Sequence, residues 1–409
     1  MFQHRRNAAG HRRAFFLRHP AGPAPKGAAL ALCLATLGMS FPTQADMGSG
    51  MDSGMGHASG HTGGHQDGHS GTHVMVPPPA SIMGANMIPK GSFMVNLIPM
   101  WMHMDGLQQG TDSLSDAEAV TSIPNRFAGQ PMPGNPMMRQ PATLRMVPTE
   151  MDMSAQMLGF MYGLTDSINF MVMGTYVQKS MTMQVFRGPA GAVPLGTSKT
   201  SVQGLGDTAV AAMIRLWDQP NQEIHLNLGL GLPTGSTTET GTMLMPNGMR
   251  MEMRLPYGMQ LGGGTYDFMP SLVYTGRDKA LSFGGMLRGR YPTANNDDGW
   301  RMGNFTQLTA WGGYDFNDHV TGTLRLAGTT EDSIQGQDPR ISGPSPRANP
   351  DFYGGDSAEA FIGVIAKFKT FGNHRGRIAA EVGMPFYQDL NGVQLAKSWS
   401  LTLSAMAHF

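Results

Sequence analysis

The chain has 409 residues, 29 of them basic and 29 acidic, with a mean hydropathy of −0.21. That hydropathy excludes a bundle of membrane helices, the lack of basic excess argues against a nucleic-acid partner, and one cysteine excludes a disulfide scaffold or a multi-cysteine metal site. Charged residues are 14%, against a usual ~25%, while glycine (55) and methionine (36) are abundant.

The neutral balance averages two unlike pieces. Arg5, Arg6, Arg12, Arg13, Arg18 and Lys26 precede any acid, and beyond Ala45 the chain holds 23 basic against 29 acidic residues, a net −6. The basic stretch, the apolar run from Gly27 to Phe41 and the small residues up to Ala45 predict a signal peptide over 1–45. The run is 15 residues, short for a membrane span. Cys33 follows Leu32, not the small residue that a lipoprotein signal wants. Cleavage after Ala45 leaves a mature chain with no cysteine, which fits the bacterial periplasm or outer membrane.

Residues 46–89 read as a flexible leader. Met47, Met51 and Met55 give way to His57, His61, His65, His69 and His73 in a register of four, and nine of residues 46–73 are glycine. So much glycine opposes a stable helix. Imidazole suits Cu(II), zinc and nickel, while thioether selects Cu(I), so the eight residues are candidate copper ligands. A low-complexity linker with adventitious metal affinity is the plainer reading. Pro77, Pro78 and Pro79 separate this tail from the body.

From about residue 90 the pattern has a period of two. Strands are predicted near 92–104, 149–162, 167–181, 205–217, 222–232, 259–275, 279–292, 303–316, 318–330, 356–369 and 375–387, with a twelfth at the C-terminal end. In that last one Trp399, Leu401, Leu403, Ala405, Ala407 and Phe409 alternate with Ser398, Ser400, Thr402, Ser404, Met406 and His408. One apolar and one polar face suit lipid on one side and a lumen on the other. Connections alternate between short turns, such as Gly163–Asp166 and Phe316–Asp318, and long loops, such as 105–148, 182–204, 233–258 and 388–396. The expectation is an all-β transmembrane antiparallel up-and-down barrel over 90–409, about 12 strands, with both termini in the periplasm. A propeller would show a 40–50-residue repeat, and none is visible.

Alternation also assigns faces. In the first strand Met94, Met100, Met102 and Met104 oppose Phe93, Val95, Leu97 and Trp101, so they are expected to line the lumen. Met171 and Met173 share a side with Asn169 and Lys179 and point the same way. In the second strand Met151, Met153, Met157 and Met161 oppose Asp152, Ser154 and Gln156 and are expected to face lipid. A thioether wall could pass a soft cation; the plainer reading is flexible apolar filler.

Several motifs then fall in a familiar order: Gly163–Leu164–Thr165–Asp166, Gly204–Leu205–Gly206–Asp207, Leu232–Pro233–Thr234–Gly235, Leu255–Pro256–Tyr257, Gly264–Thr265–Tyr266–Asp267 and Pro385–Phe386–Tyr387–Gln388–Asp389–Leu390. This order resembles the outer-membrane proteins of the MetA-pathway-of-phenol-degradation type, over roughly 90–409. The resemblance implies a barrel that passes small, often apolar or aromatic compounds, and a Met/His-rich leader fits partnership with periplasmic copper-resistance proteins. The aromatic end at Phe409 resembles the signal read by the barrel-assembly machinery.

No Gly-x-Ser-x-Gly elbow or arguable carboxylate pair supports an enzyme. The expected function is therefore an outer-membrane channel for small molecules, linked to copper through its leader. It needs no cofactor; its expected ligands are copper ions, and its surroundings outer-membrane lipid. The alternative is a plugged, non-conducting barrel that anchors a periplasmic metal-binding tail.

Overall fold

The computed structural model describes residues 76–132, 135–369 and 375–409. The predicted signal peptide, the candidate ligands Met47, Met51, Met55, His57, His61, His65, His69 and His73, and the short connection predicted at 370–374 lie outside the described residues.

The strands are β1 (Phe93–Gly110), β2 (Asp112–Leu114), β3 (Pro131–Met132), β4 (Asn135–Arg139), β5 (Met146–Gly163), β6 (Ile168–Phe186), β7 (Pro194–Leu205), β8 (Thr208–Gln219), β9 (Gln222–Leu232) and β10 (Thr240–Leu244). They continue with β11 (Arg250–Arg254), β12 (Asp267–Asp278), β13 (Leu281–Pro292), β14 (Trp300–Arg301), β15 (Phe305–Asp315), β16 (Val320–Glu331), β17 (Gln335–Gly336), β18 (Gly355–Lys369) and β19 (Arg375–His408). One short helix, α1 (Asp116–Ser122), lies between β2 and β3 and starts on a Ser115–Glu118 capping box.

The wall is a closed antiparallel sheet in the order β19-β18-β16-β15-β13-β12-β9-β8-β6-β5-β1, with β1 pairing back onto β19. β19 is itself a hairpin: its first half pairs with β18 and its second half with β1. It bends at Asn391–Gly392, where Gly392 takes φ +66, a conformation glycine adopts without strain. Ten single strands and these two arms make the twelve expected from alternation. The predicted 388–396 loop is thus strand, still paired at Gly355↔Leu390 and Gln109↔Val393. Part of the predicted 182–204 loop is strand too: β7 pairs with the upper half of β6, and β8 with the lower half.

Strand alternation decides what each face meets. Outward residues near the termini are large and exposed: Phe93, Leu97, Leu158, Phe160, Tyr162, Phe170, Val172, Leu324, Ile362, Val364 and Phe409. So much apolar surface would be a liability in water and is what hydrocarbon requires. Trp101, Tyr176 and Trp399 mark the upper edge of this belt. Above it the same outer faces turn polar, with His103 hydrogen-bonded to Asp152 at 2.7 Å. β1, β5 and β6 run 18, 18 and 19 residues. Only about 9–11 residues are needed to cross a bilayer, so these strands overshoot it.

Candidate functional site: a lumen closed at both ends

The inner face of β1, β5 and β6 is a wall of thioethers. Register fixes this, because directly paired residues share a face. Met94 pairs with Met161 and Met161 with Met171; Met102 pairs with Met153; Met104 pairs with Met151 and Met151 with Met181. Met100, Met157, Met173 and Met183 complete the same alternation. The structure thus places Met94, Met100, Met102, Met104, Met171 and Met173 on the lumen side. It overturns the lipid-facing reading of Met151, Met153, Met157 and Met161: Met151 and Met161 are only 4% and 2% exposed. Asp152, Ser154 and Gln156 misled the assignment. They lie on the outer face, at and above the upper edge of the belt, where strand overshoot lets the exterior be polar. Within the belt the outward residues of β5 are Leu158, Phe160 and Tyr162.

The opposite wall is ionic. Arg325 and Glu381 are buried and paired at 2.8 Å, and the guanidinium lies over the Phe361 ring, 3.4 Å from its centroid. Lys397 meets Glu359 at 2.5 Å, Arg290 meets Glu331 at 2.7 Å, and Arg288 donates to Gln307 at 2.9 Å. Arg325, Lys397 and Arg290 each have a carboxylate partner, as a low-dielectric interior demands, while Arg288 is met by a neutral amide oxygen.

A plug fills the end of the lumen that carries the termini. Residues 76–88 thread inside the barrel, and Pro89, Lys90 and Gly91 are exposed before β1 begins. Val76, Ala80, Ile82, Ala85, Met87 and Ile88 are all buried. Ile82 and Ala85 pack on Val273, Met286 and Trp311, while Met87 and Ile88 pack on Met94, Met161 and Met213. Polar hooks hold the backbone. Ser81 donates to Glu381 through both its amide (3.2 Å) and its hydroxyl, and Arg377 donates to Pro78 O at 3.3 Å. Gly84 O receives Asn227 Nδ2 at 3.0 Å and stands 2.8 Å from His225 Nε2. Part of the segment read as a flexible leader, 76–88, is therefore packed inside the barrel.

Loops close the other end. Tyr257, Trp300, Tyr353, Phe127 and Ile334 form an aromatic cap, with Tyr257 edge-on to Trp300 at 5.0 Å and to Tyr353 at 5.8 Å. Burial pushes the Tyr257 phenol up to about 12. Arg340 and Arg254 bind both Asp298 and Asp338. Burial alone would raise the Asp298 carboxyl, but hydrogen bonds from Thr237 and Arg340 and the two nearby guanidinium charges hold it below its ordinary value. Lys179 ties the wall to the cap through Gly258 O (3.0 Å) and Gln260 O (2.5 Å).

Between cap and wall lies a chamber of ≈ 200 Å³, lined by Met104, Met151, Met302, Tyr353, Arg347 and Gln394 among others. A wider mouth of ≈ 840 Å³ opens beside the plug, lined by Arg277, His319, Lys367, Arg375, Arg377 and His408. Among the described residues no group of three or more His, Cys, Asp or Glu could hold a metal ion.

The sequence motifs converge on three closures. Asp207 accepts from Gly235 N (2.9 Å) and Gly263 N (2.7 Å), joining the β7–β8 break to the loops after β9 and before β12. A Cβ on Gly262 would stand 2.5 Å from Asp207 Oδ1, and one on Gly235 only 2.8 Å from Gly262 Cα. The turn at 163–166 clamps the exit of the plug: Asp166 accepts from Lys90 N at 3.1 Å, and a Cβ on Gly163 would lie 2.1 Å from Pro89 O. Tyr257 centres the cap. Nothing in the spacing of these residues along the sequence announces that they meet.

The family model described as "Putative MetA-pathway of phenol degradation" matches residues 156–355, which shows the resemblance read from the motifs over that stretch. No curated protein sequence matches the chain. Similar solved structures include an outer-membrane channel from Pseudomonas putida F1, at 11% identity and TM-score 0.49, covering 80% of this chain and 98% of that one. A Pseudomonas aeruginosa FadL homologue has 11% identity and TM-score 0.33, with 78% and 89% covered. The Pseudomonas putida toluene transporter TodX has 10% identity and TM-score 0.33, with the same coverage.

Proposed function

We propose that this chain is an outer-membrane channel for small molecules that rests closed at both ends and is linked to copper handling through its Met/His-rich leader. The observation that carries the channel reading is the chamber between wall and cap. Its ≈ 200 Å³ exceeds the ~150 Å³ that suffices for a single benzene ring. Thioethers and Tyr353 offer that ring an apolar, polarizable lining, and Arg347 and Gln394 can meet a phenolic oxygen. The family's description agrees with such a cargo. No catalytic constellation is needed for this role, and we read the chain as a non-enzyme. Both termini then face the periplasm, placing the plug at the periplasmic mouth and the leader beside periplasmic copper-binding partners.

The second reading is a non-conducting anchor for the leader. It is favoured by how fully the plug is hooked at Ser81, Pro78 and Gly84. Single-channel recording in a planar bilayer separates the two. The full chain should show rare, small steps, and deletion of 76–88 should raise their frequency and size at least severalfold. A deleted protein that stays silent, yet still migrates as a heat-modifiable barrel, would leave the anchor reading. Deletion of 46–73 should lower copper tolerance of the host; unchanged tolerance to copper, silver and zinc would remove the copper link.

A further inference from the structure

Where the plug meets the thioether wall there is a second, much smaller cavity. It is lined by Met83 from the plug and by Met94, Met161, Met171 and Met173 from three neighbouring strands. Register explains the convergence. Met94, Met161 and Met171 form one row across β1, β5 and β6, and Met173 lies in the next row, opposite Gly159. Paired Cβ atoms in such a row stand about 4.5–5.5 Å apart, and each methionine arm has three rotatable bonds. Several sulfurs can therefore turn onto one point.

The cavity's size and charge select its guest. At ≈ 30 Å³ it holds one or two water-sized guests and excludes an aromatic ring. Its lining has no ionisable side chain, so a divalent ion would sit there uncompensated. Neutral thioethers are the ligands that select Cu(I). A second observation points the same way. Asn96 lines the same cavity, and its buried Oδ1 receives no hydrogen bond, leaving an acceptor among the sulfurs for a cation to satisfy.

We propose that this cage binds one soft monovalent cation, Cu(I) or its surrogate Ag(I), shared between the plug and the wall. The inference deepens the soft-metal part of the proposed function and rests on it, but not on an open pore. Because Met83 belongs to the plug, an ion held here latches the plug to the wall.

The test is a titration of the refolded full-length protein with Ag(I) in chloride-free buffer, read by NMR of ¹³C-methyl methionine. Methyl signals of Met83, Met94, Met161, Met171 and Met173 should move together with the uptake of one silver ion, separately from those of Met47, Met51 and Met55. The combined variant Met94→Leu, Met161→Leu, Met171→Leu, Met173→Leu should lose that ion, with at least a tenfold fall in affinity, and keep the leader shifts. Should it fail to fold, Met83→Leu alters only the plug and should weaken the same event at least threefold. Shifts confined to the leader, or an unchanged silver count in the variants, would overturn the site. A barrel silent in bilayers would sink the channel reading and leave this result readable, because binding does not require conduction.

Discussion

The two walls of the lumen are built on opposite terms. The β1–β5–β6 wall gathers methionines that touch one another in many interchangeable ways. The wall from β13 to the first half of β19 gathers charges held at fixed hydrogen-bond partners, three of them in carboxylate pairs. A thioether tolerates a change of neighbour because its contacts are non-directional and its arm is flexible. A buried guanidinium does not, because its charge must be answered at a fixed place. One wall is therefore adaptable and the other strict, and the plug is seated between them, with Met87 on the first and Ser81 on the second.

The largest test of that contrast is on the strict side. Glu381→Gln leaves Arg325 charged and buried without its counter-charge, and leaves one oxygen where Arg325 and Ser81 now use two. Breaking one partner of a buried pair costs about 3–5 kcal/mol. The expected result is a markedly lower midpoint for the heat-dependent gel shift; an unchanged midpoint would break the comparison. A smaller effect is expected at the cap. Asp298 has its carboxyl held below its unfolded value, so its contribution is complete above that unfolded value and is lost as pH falls through the folded one. Hydrogen exchange of the Tyr257–Trp300 cluster should accelerate under acid before the wall strands exchange, and simultaneous loss would count against a separately ionic cap. The smallest effect is expected on the adaptable side. Met181→Leu conserves volume in a fully buried position and should cost below about 1.5 kcal/mol by the same gel assay. A loss as large as that of Glu381→Gln would show that the thioether wall is as strictly fitted as the ionic one.

Much of the barrel was legible because lipid and lumen impose a strict period of two. The run from Trp399 to Phe409 shows both faces without interruption, and β9 kept its predicted bounds of 222–232. Faces were misread where one strand passes through two media. On β5, Asp152 and Leu158 are both outward, one in water and one in lipid, so polarity alone could not say which side was the lumen. The plug was missed because residues 76–88 lie in irregular backbone, whose burial depends on hooks more than a hundred residues away, such as Asn227 and Glu381. The closures were missed for a similar reason. Asp207, Gly235 and Gly263 lie in three separate stretches, and local spacing carries no sign of their meeting.

The seam between β1 and β19 has a consequence for the order of events. Phe93 and Phe409 exchange backbone hydrogen bonds of 3.0 and 2.8 Å, so the ring shuts by joining strands about three hundred residues apart. Contacts so distant along the chain form slowly, because a very large loop must be closed before they give anything back. The segment that becomes the plug is tethered directly to one lip of that seam. It can swing into an unfinished, open-sided sheet far more easily than it can be threaded through a finished ring, so assembly favours a barrel that is born already stoppered.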